Sequence, residues 1–250
     1  MIWLAVGVFV AIAAGAISQR VSGMGLGLIA APALSLMLGP VVGIILINVL
    51  ATINAVLNTW SMRADVDWGK FAPIAAALVV GAVPGAFLIR AVSPSALLVV
   101  VGIVLIIALS VVTLGKRYVP PIEGALPAAV SGAVGGFMNT LAGVAGPAIT
   151  VYSQAARWLQ RTYAATLQPI FMVSGAVSFL IKELTGAANL ATIPAAFWVA
   201  AAAGLFVGQV SGTKLAPHIP SAKAHTVALS LAFFGGFTAL VRGLVGMFGA

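Results

Sequence analysis

Long apolar stretches, separated by short polar links, run along the whole chain of 250 residues. Most are about 20 residues long, the length that an α-helix needs to cross a hydrocarbon core about 30 Å thick. The pattern therefore predicts an all-α, polytopic membrane protein with no separate soluble domain. The predicted apolar segments cover residues 2–38, 41–62, 71–90, 94–115, 124–156, 162–182, 190–213 and 222–248.

Two of these segments are too long to be single membrane-spanning helices. As one straight helix, residues 2–38 would extend about 55 Å, nearly twice the hydrocarbon thickness. Polar, glycine-rich sequences interrupt both segments, at Ser18–Gly27 and at Met138–Pro147. We therefore predict two helical hairpins, each bent at its interruption. Non-helical backbone at membrane depth is tolerated only inside protein or beside a watery cavity, so both bends are expected to border one site.

The first bend combines a cation with three closely spaced glycines. Arg20 is costly in hydrocarbon, by about 2.5 kcal/mol or more, and such residues are usually functional. Gly23, Gly25 and Gly27 allow backbone to approach a ligand closely. The helix expected to resume at about Leu28 would direct its positive N-terminal end at the same place. These features favour a bound anion.

Donor groups at both bends, and on the helices that follow them, match what an oxyanion requires. They include the guanidinium of Arg20, side-chain amides, hydroxyls, and unpaired N–H groups where half-helices begin. The predicted substrate-binding residues are Gln19, Arg20, Ser22, Gly23, Gly25, Asn48, Asn139, Thr140, Gly143, Gly146 and Gln168.

Each of these residues also has a purely structural interpretation. Arg20 would extend to a membrane interface if the hairpin enters less deeply. Asn48 and Gln168 would join helices by hydrogen bonds instead of lining a site. Glycines would serve close helix packing, which is the expected role of Gly81, Gly85, Gly204, Gly208 and Gly212.

A constant offset of 120 residues relates the two long segments and the helices after them. We interpret this offset as an internal duplication, with an N-terminal membrane repeat of residues 1–118 and a C-terminal repeat of residues 119–250. Repeats of this kind in transporters bind substrate at their interface, near the bilayer midplane. The offset takes Gly15 to Gly135, Gln19 to Asn139, Gly23 to Gly143, Asn48 to Gln168 and Asn54 to Ser174.

The distribution of basic residues indicates how the repeats run, because cytoplasmic loops hold the excess of Lys and Arg. If both long segments turn back, one side has eight basic residues and the other three; if the second crosses once, the split is six to five. We therefore predict two inverted repeats, each a broken-helix hairpin followed by three transmembrane helices, with both termini outside. The larger group is Arg63, Lys70, Lys116, Arg117, Arg157, Arg161, Lys214 and Lys223; the smaller is Arg90, Lys182 and Arg242, with Lys182 assigned to a helix end.

The composition excludes several other classes of protein. With 62% hydrophobic and 6% charged residues, the chain does not resemble a soluble domain, in which about 25% are charged. Cysteine is absent, so disulfides and thiolate metal sites are excluded. The net charge of +8 is attributed to helix ends, so no nucleic-acid partner is predicted. All four acidic residues fall at the periphery, so we predict no metal site, no catalytic residues and no intramembrane proton relay.

Two glycine-rich motifs open the halves of the chain, one at Gly23–Leu34 and one at Gly143–Pro147. They resemble the paired motifs of the TauE/SafE sulfite exporter family, and the resemblance extends over nearly the full length. It implies a secondary transporter for sulfite, sulfonates or related sulfur-containing anions in a bacterial inner membrane, with no cofactor. Leu26 and Ala145 interrupt the family's glycine triplets, which leaves the anion open.

The expected function is therefore export of a small sulfur-containing anion. An inside-negative potential favours its exit by about 2.3 kcal/mol per charge per 100 mV. A channel for small anions or solutes, or a membrane subunit of a larger complex, is the alternative. The expected partners are the anion and the lipid bilayer, without nucleic acid, and a homodimer is left open.

Overall fold

The computed structural model of the protein describes residues 1–115 and 121–248, and within these ranges every regular element is helical. Seven of the described helices are long and apolar enough to cross a membrane: α1, α3, α4, α6, α8, α9 and α10. The helices are α1 (Ile2–Ser22), α2 (Leu26–Leu38), α3 (Pro40–Met62), α4 (Trp68–Ala91), α5 (Pro94–Gly115), α6 (Ala125–Ala142), α7 (Gly146–Ala155), α8 (Gln160–Leu184), α9 (Ala195–Leu215) and α10 (Ser221–Phe248).

Each of the two long apolar segments is split into two helices, as the sequence predicts, but the breaks are shorter than expected. Only residues 23–25 and 143–145 lie between helices. Gln19, Arg20 and Ser22 are therefore part of α1, and α2 resumes at Leu26, two residues earlier than predicted. The predicted repeat boundary, between residues 118 and 119, lies outside the described residues.

Glycine ends the helix before each break for the same geometrical reason. Gly23 has φ 86° and Gly143 has φ 71°, the left-handed conformation that glycine adopts without a steric penalty. Their N–H groups bond to the carbonyl oxygens of Gln19 and Asn139, which closes the last turn of α1 and of α6. The two caps are related by the same 120-residue offset as the surrounding sequence.

The helices that follow the breaks are too short to cross a membrane. With 13 and 10 residues, α2 and α7 are about 20 Å and 15 Å long, against a hydrocarbon core of about 30 Å. Both turn back along the preceding helix, since Gly15 packs on Leu26 and Gly135 packs on Ile149. The break thus forms the tip of an antiparallel helix pair in each half.

Glycines bring the other helices into close contact, as the sequence predicts. Gly204 packs against Phe9, and Gly208 packs against Ala13, so α9 runs parallel to α1. The same parallel arrangement joins α4 to α6, where Gly81 lies against the backbone of Ala133.

Two further helix pairs, α5 with α10 and α3 with α8, pack antiparallel to each other. In the pair formed by α5 and α10, Gly102 lies against Leu240 and Gly243 lies against Val99. At the centre, α3 packs on α8, with Gly175 against the backbone of Asn48. The outer faces expose large apolar side chains, among them Phe206, Phe234 and Phe248, as expected for a surface in lipid.

Basic residues collect at one end of the helix bundle. Arg161 pairs with Asp65 at 2.8 Å, and Lys70 lies over the ring of Trp158. We call this end, which also contains Arg63 at the end of α3, the basic end.

Candidate functional site

The two breaks meet inside the protein. Gly27 lies against the carbonyl oxygen of Gly143, so each break forms part of the wall of the other. A cavity of about 30 Å³ lies at this junction, enough for about two water molecules at roughly 10–15 Å³ each. We call it the junction cavity, and it is lined by Gln19, Met24, Gly25, Gly27, Leu28, Ala51, Asn139, Gly143, Val144, Ala145, Gly146 and Phe171.

Two helix N-termini border the junction cavity. Helix α2 begins at Leu26 and helix α7 at Gly146, and no side chain caps either start. The first N–H groups of a helix have no partner within it, and they carry the positive end of the helix dipole. Both starts therefore favour an anion in the junction cavity.

A larger cavity, of about 330 Å³, lies between the junction and the basic end. This volume is within the range of small-molecule sites. Gln19 borders both cavities and therefore lies between them. We call it the basic-end cavity, and it is lined by Gln19, Arg20, Val21, Ser22, Gly23, Asn58, Met62, Gln160, Arg161, Ala164, Gln168 and Ser221.

Arg20 lies on the last turn of α1, in the wall of the basic-end cavity. Its guanidinium donates to the hydroxyls of Ser61 at 2.8 Å and Thr213 at 3.2 Å, and to Asn58 Oδ1 at 3.4 Å. These partners are neutral, so its charge is not cancelled by the groups it contacts. Arg161 lies in the same wall but pairs with Asp65, so the uncompensated positive charge at this cavity comes from Arg20.

Gln19 and Gln168 join α1 to α8 beside the first break. Gln19 Nε2 donates to Gln168 Oε1 at 3.0 Å, and Gln168 Nε2 donates to the carbonyl oxygens of Gly23 and Ala164. Both side chains also border a cavity. Gln168 therefore joins α8 to α1 and also borders the basic-end cavity, so the two interpretations of this residue are compatible.

Two of the predicted hydroxyl donors point into the protein. Ser22 Oγ donates to the carbonyl oxygens of Ser18 and Met24, which fixes the turn at the first break. Thr140 Oγ1 is fully buried and bonds to the carbonyl oxygen of Gly136 and to Ser178. Both residues lie within helices, where a hydroxyl readily bonds to the carbonyl four residues earlier.

Asn139 occupies the position in α6 that Gln19 occupies in α1. Its Nδ2 donates to Ser178 Oγ at 2.9 Å and to the carbonyl oxygen of Ser174 at 3.1 Å. It attaches α6 to α8 and also borders the junction cavity, as Gly25 and Gly146 do.

Asn48 and Lys182 form a buried pair that the sequence analysis missed. Lys182 Nζ donates to Asn48 Oδ1 at 2.7 Å, and the two residues are 1% and 0% exposed. Lys182 was assigned to a helix end and does lie in the last turn of α8, but its burial was not predicted, because it depends on the other helices that cover this part of α8. A signal was present, since Ser174, Ser178 and Lys182 recur every four residues and so share one helix face.

The acidic residues that form ion pairs in the described structure do so at the basic end. Asp67 caps the start of α4, outside the spans, and its pKa is lowered chiefly by the hydrogen bond from the backbone N–H of Lys70. Among the described residues, no group of three His, Cys, Asp or Glu side chains is arranged to hold a metal ion.

A family model described as "Sulfite exporter TauE/SafE" matches residues 7–239, which is most of the chain. No curated protein and no solved structure matches the chain.

Proposed function

The chain belongs to the TauE/SafE sulfite exporter family, and from that premise we propose a secondary transporter that exports a small sulfur-containing anion, such as sulfite or a sulfonate. It is a multi-pass membrane protein, and we place it in a bacterial inner membrane. The observation that carries the proposal is the basic-end cavity, which contains Arg20 and shares Gln19 with the junction cavity, where two helices begin.

An inverted repeat fits the packing of the helices. The parallel pair α1 and α9 corresponds to the parallel pair α6 and α4, and corresponding helices α5 and α10 are antiparallel. Antiparallel counterparts are expected of inverted repeats, since a two-fold axis in the membrane plane reverses direction. We propose repeats 1–118 and 119–250, each with a broken helix pair that enters the membrane from its own side and turns back at the break.

The basic end faces the cytoplasm in this proposal. Removing the buried Lys182 from the count leaves eight basic residues on one side and two on the other, which strengthens the charge asymmetry. The basic-end cavity then opens to the cytoplasm, where an anion to be exported would enter. The membrane potential favours its outward movement by about 2.3 kcal/mol per charge per 100 mV.

The proposed substrate site combines the two cavities. Arg20 and Gln168 would bind the anion first, in the basic-end cavity. The backbone at the two breaks would hold it at the junction, after the cavity there widens. Ser22 and Thr140 would act indirectly, by fixing helix ends. The full set remains Gln19, Arg20, Ser22, Gly23, Gly25, Asn48, Asn139, Thr140, Gly143, Gly146 and Gln168.

Flux measurements with purified protein in proteoliposomes test this function. Radiolabelled sulfite should enter saturably, should show counterflow against unlabelled sulfite, and should compete with sulfonates better than with carboxylates. Flux that rises linearly with concentration, without counterflow, would indicate a channel instead. Absence of flux for sulfite, sulfate, thiosulfate and sulfoacetate at both signs of the potential would contradict the proposal. The mass of the active particle would distinguish a monomer from a homodimer.

A further inference from the structure

Lys182 is a buried lysine whose side chain contacts a neutral partner. The hydrogen bond that its Nζ makes within the described structure is to Asn48 Oδ1. The acids that pair with cations in the described structure do so elsewhere, Asp65 with Arg161 and Asp67 with Lys70. A buried ammonium without a counter-charge is costly, and such residues inside a membrane protein usually belong to an ion pathway.

The side-chain amide of Asn48, beside Lys182, also has a hydrogen-bond donor without a partner among the described residues. Asn48 is fully buried, and its Nδ2 has no hydrogen-bond partner among the described residues. The amide oxygen of Asn48 accepts from Lys182 Nζ, which leaves the amide nitrogen as the group without a partner. The unused N–H groups of Asn48 and the two remaining donors of Lys182 therefore lie close together. Together they match what an oxyanion requires.

This pair lies on the far side of the junction from Arg20. Along α3, Asn58 borders the basic-end cavity, Ala51 borders the junction cavity, and Asn48 comes next. Asn48 and Asn58 are separated by about 15 Å along the helix axis. Along α8, Gln168 and Phe171 border the cavities and Lys182 follows them toward the opposite end.

We propose that Lys182 and Asn48 form a second anion-binding position, which holds the transported sulfur oxyanion when the protein opens away from the basic end. This inference rests on the proposed function. In the present structure Lys182 borders neither cavity, and its Nζ donates a hydrogen bond to Asn48 Oδ1. On opening, the anion replaces that contact, and Asn48 Nδ2 donates to it. The offset of 120 aligns Lys182 with Met62, so the charge belongs to one repeat alone.

The test compares exchange of radiolabelled sulfite by the parent with exchange by Lys182→Met, Lys182→Arg and a control, Lys214→Met. Lys214 is exposed at the end of α9. Lys182→Met should lower exchange by about tenfold or more, since it removes charge-assisted hydrogen bonds to the anion. Lys182→Arg should keep most of the exchange, and the control should match the parent. The melting temperature of Lys182→Met should not fall, because removing an uncompensated buried charge relieves a cost.

A chemical rescue separates charge from packing. The chain contains no cysteine, so Lys182→Cys can be alkylated at a single position. Bromoethylamine restores an ammonium of nearly the length of lysine, whereas iodoacetamide adds a neutral group of similar size. Mass spectrometry confirms modification before reconstitution. Exchange should recover with the first reagent and not with the second.

The outcomes distinguish this inference from the proposed function. If the parent exchanges sulfite and Lys182→Met does so equally well, or if both reagents restore exchange equally, the second position is refuted and the transporter stands. A parent that exchanges none of the sulfur anions would overturn both, because no transported anion would exist for Lys182 to bind.

Discussion

Arg20 is the cation whose replacement should weaken binding at the basic-end cavity most. In the structure it is held by two hydroxyls and one amide oxygen, all of them neutral. An anion in the cavity would therefore meet a positive charge that no carboxylate has already compensated. Arg20→Gln removes this charge, and Arg20→Lys keeps it but loses the planar, bidentate geometry.

The size of the effect follows from the type of hydrogen bond that is lost. A bond to a charged group contributes about 1.5–3 kcal/mol, so Arg20→Gln should weaken sulfite binding by roughly 10- to 150-fold. Arg20→Lys should weaken it by about tenfold, because an ammonium does not match two oxygens at once. Both variants should fold, since they remove or exchange a cation that has no acidic partner among the groups it contacts.

Equilibrium binding of radiolabelled sulfite to purified protein in lipid nanodiscs measures these changes directly. The matched control is Arg90→Gln, an exposed arginine at the opposite end of the bundle, which should bind like the parent. Melting temperature provides an independent check of folding. An Arg20→Gln protein that folds and binds sulfite as tightly as the control would refute the role of Arg20, leaving the helix N-termini as the anion site.

Three further predictions test the topology, the lining of the cavity and the helix packing. Single cysteines at Ala64 and Leu184 should react with an impermeant reagent from the cytoplasmic and the external face, respectively; labelling from one face would contradict the inverted repeat. Gln168→Leu should raise the KM for sulfite by about two- to tenfold, since a neutral hydrogen bond contributes about 0.5–1.5 kcal/mol; an unchanged KM would assign Gln168 to helix joining alone. Gly81→Val should abolish folded protein, because its side chain would collide with the α6 backbone, whereas Gly69→Ala should be neutral; a stable Gly81→Val protein would contradict the packing.

The membrane architecture could be predicted from the sequence, because its causes are local. A bilayer requires apolar segments of fixed length, so the long apolar runs revealed the spans and the two runs that had to break. Glycine at 23 and at 143 located the breaks within a few residues, since few other residues adopt a left-handed φ readily. The 120-residue offset was visible in the sequence because Gly23 and Gly143, which end α1 and α6, are separated by that distance.

Side-chain directions could not be predicted in this way. Thr140 and Asn139 were expected to face a bend; α6 continues past them and both bond to Ser178, and of the two only Asn139 also borders the junction cavity. The extent of a helix near its end depends on which neighbours satisfy the backbone and side-chain groups, and those neighbours lie on other segments. The hydrogen-bond partners of these two residues therefore depend on the contact of α6 with α8.

The burial of Lys182 shows most clearly that side-chain contacts could not be predicted from the sequence. In the sequence it is followed by Glu183, and it lies two residues from the end of α8, where a cation normally reaches water. Only the packing of α8 against α3 encloses it and brings it to Asn48, 134 residues away in the chain.

Three features could be predicted from the chain alone: which segments enter the membrane, where two of those segments break, and the excess of positive charge. The tertiary structure decided which polar groups meet, because burial and pairing depend on contacts between segments distant in the chain.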